Sequence, residues 1–457
     1  MSRSQRHPSD ASADPRALAW EILRRVEDGG AYADVLIGHQ LTGSALSARD
    51  QALATRLVYG TLAWQGYLDH LIGAYSRRPP QALETPVRTL LRLAALQICV
   101  LTKIPPFAAV NTAVHLAKQF RGGAAAGLVN AVLRRLARGW QEVALPPRDS
   151  DALGYLATRW SHPPWLVERW LTAYGFDETE ALLRANNDAA PTVLRVNRRR
   201  IDREQLLAHL RQAGYVAAPT VYSAIGVAID GGAPQAMPGW ADGLFSLQGE
   251  ASQLVGLLVA PQPGARLLDA CAAPGGKATQ LAELMDDRGT VVALDIHPRG
   301  VERITQAAHR LGLTSVRTVI ADATVWTPRG GGFDGILVDA PCSGLGTLRQ
   351  HPEVKWRRTP ADVAALSTLQ LALLRHNADN VRRGGTLVYS TCTISAAENE
   401  QVIAAFLKAR PDFAVDDPRP LLPAAAQSLV GADGALRTFP HRHGLDGFFA
   451  VRCTRRD

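Results

Sequence analysis

The chain has 457 residues, 47% hydrophobic and 20% charged, with a formal net charge of +8. That length is too great for one compact core and implies roughly two to four domains. No apolar run approaches the ~20 residues that cross a bilayer, and the opening MSRSQRHPSDASADPR lacks the apolar stretch of a secretory signal. The expectation is a cytoplasmic protein with residues 1–14 as a disordered lead. Cys99, Cys271, Cys342, Cys392 and Cys453 are odd in number and scattered, without a CxxC pair or Cys/His ligand spacing. Neither a disulfide framework nor a metal site is expected. The basic balance favours a polyanionic partner.

Residues 15–145 read as all-α. ALAWEILRRVEDG, DQALATRLVYGTLAWQGYLDHLI, TPVRTLLRLAALQICVLTK, NTAVHLAKQF and GLVNAVLRRLARGW repeat apolar residues every three or four positions, and DGG, SRRPP, KIPP and RGG separate them. Five to seven helices are predicted. Residues 146–189, with the Trp/Pro-rich RWSHPPWLVERW, form a helical connector. Residues 190–242 form a small α/β insert: the strand PTVLRVN, the amphipathic helix DREQLLAHLRQAG and the strand VYSAIGVAID. Over residues 243–457, the runs RLLDA, TVVALDI, VRTVI, FDGILVDA, GTLVYS and DGFFAVRC alternate with helical segments. That alternation predicts a Rossmann-like α/β domain with a mainly parallel, doubly wound sheet.

LLDACAAPGGKATQLAELM is a strand, a Gly/Ala turn and a helix, so Gly275 and Gly276 let a ligand approach the backbone at a helix N-terminus. A phosphate-binding P-loop would need glycine at Cys271 and Ser/Thr at Ala278, and no GxGxxG is present. An S-adenosylmethionine (AdoMet) site fits better. Asp269 ends the first strand. Asp295 ends the second, where it can accept the ribose hydroxyls, and Asp322 follows the third, beside the adenine. Any single one of these aspartates could instead cap a helix.

Asp339, Pro341 and Cys342 close the fourth run in FDGILVDAPCSGLGT, and Cys392 closes the fifth in GTLVYSTCT. If those strands are neighbours, both thiols face one cleft. A cysteine at a strand end is usually a small packed residue, but two beside a methyl donor point to chemistry. The C5 carbon of a pyrimidine is a poor nucleophile. A thiolate added at C6 makes C5 enamine-like and able to take a methyl group, a covalent route that splits one hard step in two. Cys99, inside LLRLAALQICVL, reads as helix core, and Cys453 lies in the last strand without chemical company.

DACAAPGGK, DAPCSGLGT and STCT together resemble the Sun-type RNA cytosine-5 methyltransferases, and VYGTLAW with VNAVLRRLAR resembles the NusB-like domain fused to bacterial members. HRHGLDGFFAVRC resembles the family's closing hairpin, so the likeness covers nearly the whole chain. The resemblance implies that Cys271, Ala272, Ala273, Pro274, Gly275, Gly276 and Lys277, with Asp295, Asp322 and Asp339, line the AdoMet pocket. It implies that Cys392 attacks C6, that Cys342 assists product release and that Asp339 touches the cytosine. The implied substrate is 16S ribosomal RNA at cytosine 967, free or in a partly assembled subunit. The alternatives are a transfer RNA cytosine-5 methyltransferase and a non-catalytic RNA-binding assembly factor.

Basic clusters at Leu133–Arg138, Arg195–Arg203 and Glu353–Arg358 are candidate RNA contacts. EVKWRR is the foremost, since it follows the DAPC motif and carries Trp356 as a stacking surface.

Overall fold

The computed structural model describes residues 14–456 apart from 42–43, 102, 121–122 and 232. The expected lead lies outside the described residues except for Asp14, which caps the first helix by accepting from the Arg16 amide at 2.8 Å. The chain forms two compact units, one of residues up to Ala189 with Leu348–Arg357, the other of Ala190–Thr347 with Arg358 onward.

In the first unit, seven α-helices precede Trp140 among the described residues: Pro15–Gly29, Ala33–Leu41, Ala48–Ala63, Gln65–Tyr75, Thr85–Cys99, Pro106–Gln119 and Ala126–Gly139. Every residue from Thr89 to Cys99 is buried, as expected of a helix that other helices surround. Arg92 on that helix is buried too, and its charge is met by Asp69 at 2.7 Å and Glu27 at 3.2 Å. Three further helices, Ala152–Arg159, Pro164–Tyr174 and Phe176–Asn186, occupy the predicted connector.

Leu348–Arg357 belongs to this helical unit, and burial corrects the reading of Lys355, within EVKWRR, as an RNA contact. Lys355 has no exposed surface, and its Nζ donates to the Ala63 carbonyl at 2.8 Å and Asn187 Oδ1 at 3.0 Å. Trp356 Nε1 donates to the Leu62 carbonyl, and Arg357 donates to the carbonyls of Val26, Gly30 and Ala31. These donors satisfy carbonyls at and just beyond helix ends that would otherwise lack partners.

The second unit holds two sheets. β1 (Thr192–Val196), β2 (Ala217–Pro219), β3 (Gly226–Ile229) and β4 (Phe245–Leu247) form an antiparallel sheet in the order β2-β3-β1-β4. The insert's sheet therefore runs past residue 242, because β4 pairs with β1. The larger sheet contains β5 (Arg266–Asp269), β6 (Thr290–Asp295), β7 (Val316–Ile320), β8 (Phe333–Asp339), β9 (Val381–Thr391), β10 (Phe413–Val415), β11 (Leu436–Thr438) and β12 (Phe448–Arg455). Its order is β10-β12-β9-β8-β5-β6-β7, with β11 beside β12. Pairings from β9 through β7 are parallel, and those of β12 are antiparallel.

Alternate residues of the central strands enter different cores. Leu267, Val291, Ala293, Leu337 and Val388 join one, and Leu268, Val292, Leu294, Ile336, Val338 and Tyr389 join the other. Burial on both faces explains why these strands read as continuous apolar runs. The chain moves outward from β5 to β7 and then returns to β8 on the other side of β5, so the order reverses between β5 and β8. In open α/β sheets a crevice opens at that reversal, outside the carboxyl ends of the strands.

Replacing Lys355 with alanine should lower the thermal midpoint by several degrees, since it leaves buried acceptors unmet. It should leave the salt dependence of RNA binding unchanged, because burial, which also pushes the Lys355 pKa well below its ordinary value, keeps this side chain from any phosphate. A flatter salt slope in a gel-shift titration would restore Lys355 as an RNA contact.

Candidate active site

Five strand ends stand in a row. In spatial order they carry Cys392 beyond β9, Asp339 and Cys342 beyond β8, Asp269 and the glycine loop beyond β5, Asp295 at β6, and Asp322 beyond β7. Thiols occupy one end, the candidate adenosine-recognising carboxylates the other, and the glycine loop lies between.

The two thiols meet because of strand register. Parallel pairing sets Asp339 opposite Ser390, and the Ala340 amide donates to the Ser390 carbonyl at 2.9 Å, so both chains leave the sheet together. Cys342 Sγ lies 3.2 Å from Cys392 Sγ. Its hydrogen bond to Cys392, with burial and the nearby Cys392 and Glu398 charges, pushes the Cys342 thiol well above its ordinary range. Cys342 therefore keeps its proton beside the sulfur of Cys392.

Both loops are held by Glu398, which is fully buried. Its carboxylate accepts from the Ser343 amide at 2.7 Å, Ser343 Oγ at 2.6 Å and Gln370 Nε2 at 3.1 Å. Ser343 Oγ lies 2.9 Å from Thr393 Oγ1, and Asn399 Nδ2 donates to the Thr393 carbonyl at 2.9 Å. The Gly346 amide donates to the Cys392 carbonyl at 3.0 Å. A Cβ on Gly346 would collide with the Gly447 carbonyl, so the loop after Cys342 requires glycine there. Sequence reasoning missed Ser343, Glu398 and Ser390. The available signal was that polar Ser343 and Thr393 each directly follow a site cysteine and need a partner.

Asp339 stands beside the thiols and is fully engaged. Lys277 Nζ donates to its Oδ2 at 2.6 Å, and Ser390 Oγ donates to its Oδ1 at 2.7 Å. Burial works against the Lys277 ammonium, but the charge and hydrogen bond of Asp339, with Asp269 beyond, raise its pKa above the ordinary value. Lys277 also lies 5.4 Å from the Phe448 ring centroid.

The glycine loop divides by role. Gly275 has φ +106°, and a Cβ there would press on the Ile304 backbone at 3.1 Å, so the fold itself demands this glycine. Gly276 differs: a Cβ there would meet protein atoms no nearer than 3.9 Å. Its missing side chain is a cradle beside the first turn of the helix Gly276–Leu284, open to a ligand at a helix N-terminus. Ala272 turns its methyl into the core, leaving its backbone to face the loop, while Pro274 is exposed. Burial and the surrounding carboxylates, Asp269 first, push the Cys271 thiol far up, which makes it a poor nucleophile.

The carboxylates differ as well. Asp295 accepts from the amides of Ala273 at 3.1 Å and His297 at 2.9 Å, so it shapes the glycine loop while keeping lone pairs for a hydroxyl donor. Asp322 is exposed, and its Oδ1 accepts from the Thr324 amide and hydroxyl at 2.8 and 2.7 Å, a local turn. Asp269 is buried, and neither oxygen meets hydrogen-bond geometry with a protein partner, although the Cys271 amide lies close enough to favour the anion. These unmet acceptors, with the Gly276 cradle, fit a ligand carrying ammonium and hydroxyl donors, as AdoMet does. Cys99 and Cys453 are buried, and desolvation pushes both thiols up to about 12.

Burial, then the charge of Asp339, raises Asp269 to about 7 against the opposing pull of Lys277. An unfolded aspartate loses its proton near pH 4. Between roughly pH 4 and 7 the native state therefore binds the extra proton, and stability falls as pH rises through that window. Asp269→Asn should raise the thermal midpoint of the ligand-free protein at pH 8 by roughly 2–6 °C, with a smaller gain at pH 5. A gain that is equal or larger at pH 5 in calorimetry would contradict this electrostatic reading.

The model of 16S rRNA methyltransferase RsmB/F matches residues 256–453, that of the NusB family residues 13–138, and that of the RsmF/B-like ferredoxin-like domain residues 162–235. The probable ribosomal RNA small subunit methyltransferase B of Bacillus subtilis is 39% identical, over 95% of this chain and 97% of its own length. The ribosomal RNA small subunit methyltransferase B of Pseudomonas putida is 36% identical, over 87% and 90%. The crystal structure of PH0851 superposes with a TM-score of 0.82 at 26% identity, covering 99% of this chain and all of its own.

Proposed function

From the premise that the chain belongs to the RsmB/F family of AdoMet-dependent rRNA (cytosine-C5)-methyltransferases, we propose that it methylates cytosine 967 of 16S ribosomal RNA in the cytoplasm through a covalent adduct on Cys392. The observation that carries the adduct is the 3.2 Å approach of Cys342 and Cys392 beside the Lys277–Asp339 pair. The nucleotide position rests on family likeness.

AdoMet, when bound, supplies an electrophilic methyl group. On this reading the glycine loop and Lys277, with Asp295 and Asp322, would hold AdoMet at the strand ends beside the thiols. The Cys392 thiolate adds to C6 of the cytosine, forming a C–S bond and shifting electron density to C5. Asp339, fixed by Lys277 and Ser390 as an ionised acceptor, faces the base and accepts a hydrogen bond from the cytosine amine. C5 takes the methyl group as the donor's methyl–sulfur bond breaks with its electron pair left on that sulfur, and the C5 proton then passes to solvent water. The C–S bond breaks, the 5–6 double bond returns and Cys392 leaves. Cys342, which retains its proton next to Cys392, assists that departure. A paired cytosine hides C6 in the stack, so the target is unpaired or flipped out at a cost of a few kcal/mol. Arg134, Arg135 and Arg138, exposed on the helical unit, provide phosphate contacts.

Cys392→Ala should reduce methyl transfer by roughly a thousandfold or more. Retained turnover on RNA would remove Cys392 as nucleophile. Cys342→Ala should accumulate protein covalently linked to RNA, seen as a retarded band on a denaturing gel. Normal turnover without such a band would remove its release role. Bisulfite sequencing of a deletion strain should show loss of 5-methylcytosine at position 967 of 16S RNA alone. Loss in transfer RNA instead would reassign the substrate.

A further inference from the structure

Arg195 belongs to a basic cluster that the sequence offers as a candidate RNA contact, yet it has no exposed surface. Its neighbours Leu194 and Val196 on β1 enter the insert's own core, so alternation along the strand sends the guanidinium to the opposite face. There all five of its N–H donors are used. Nη1 donates to the Gly276 carbonyl and to Gln248 Oε1, both at 2.6 Å. Nη2 donates to Glu283 Oε1 at 2.7 Å and Thr279 Oγ1 at 3.2 Å, and Nε donates to Glu283 Oε2 at 3.1 Å. Gly276, Thr279 and Glu283 all lie on the helix Gly276–Leu284. Thr279 Oγ1 donates in turn to the Gly275 carbonyl at 2.7 Å, which carries the restraint into the glycine loop. A cation near a helix N-terminus is electrostatically misplaced for stabilising that helix. What the arrangement achieves is to fix the first turn in space.

We propose that Arg195 is a positioning residue for AdoMet, and hence that the ferredoxin-like insert is part of the cofactor site: by holding the Gly276 carbonyl it sets the cradle into which the ligand fits. The inference rests on the reading of Cys271–Lys277 as the cofactor loop. It gives the insert a task other than selecting RNA.

The test uses the full-length chain. Removing one partner of a buried ion pair can unfold a protein, whereas replacing both by apolar groups is often tolerated, so Arg195→Met/Glu283→Met is compared with Arg195→Lys. AdoMet affinity is measured by titration calorimetry, RNA affinity by gel shift, and KM separately for each substrate. The double variant should fold, bind AdoMet roughly tenfold more weakly and bind RNA as the parent does, and Arg195→Lys should recover part of the loss. AdoMet affinity within twofold of the parent in a folded variant overturns the proposal. So does an equal fall in RNA affinity, or failure of both variants to fold, either of which makes Arg195 a general structural residue. If only the double variant fails to fold, Arg195→Lys decides by the same readings. Gly276→Val, which fills the cradle directly, separates the two claims. Weakened AdoMet binding there with parent-like Arg195 variants defeats this inference alone, and unchanged binding in all of them defeats the loop reading as well.

Discussion

Glu398 has no contact with solvent, and its carboxylate accepts hydrogen bonds from both the amide and the hydroxyl of Ser343. Ser343 in turn meets Thr393 across the gap between two loops that leave neighbouring strands. A buried carboxylate without such partners would be costly. With them it acts as a clamp, and the clamp joins the segment after Cys342 to the segment after Cys392. The parallel register of β8 and β9 brings those loops to the same edge, and Glu398 then fixes their separation. The rest of the site inherits that geometry. Asp339 is oriented from β9 by Ser390 and from the helix Gly276–Leu284 by Lys277, so one carboxylate on β8 joins three elements of the fold.

The charges of the site are sorted in the same way. Carboxylates crowd the strand ends, and Lys277 is the cation that meets Asp339 and opposes the protonation of Asp269. Paired acidic groups of unlike environment commonly mark sites of proton movement or charge recognition. Here one aspartate is engaged by two donors, another is buried without a well-placed one, and two serve local turns of the backbone.

The central strands were legible because double-sided burial writes itself as uninterrupted apolar runs, from RLLDA to GTLVYS. The three-residue strands β2, β4, β10 and β11 are too short to show any period, and β4 among them is why the insert reads as ending before Phe245. DQALATRLVYGTLAWQGYLDHLI reads as one helix, yet Trp64 (φ −97°, ψ 10°) separates two. Asp339, Cys342 and Cys392 could be found because their motifs are compact. Glu398 could not, since a glutamate in SAAENE looks like any solvated residue until the chain folds back over it. Charge was the least readable property. Arg195 and Lys355 sit within runs of cations in the sequence, and both lie inside. Only tertiary packing separates a buried, fully paired guanidinium from its solvated neighbours.

The most direct measurement is to incubate the protein and AdoMet with ribosomal RNA in which cytosine carries fluorine at C5, which cannot leave as a proton. Tandem mass spectrometry of the digested complex then maps the linked peptide. The expected product is a methylated nucleotide joined through sulfur to Cys392. A linkage to Cys342, or turnover of ordinary RNA with no linkage to either cysteine, would contradict the assignment.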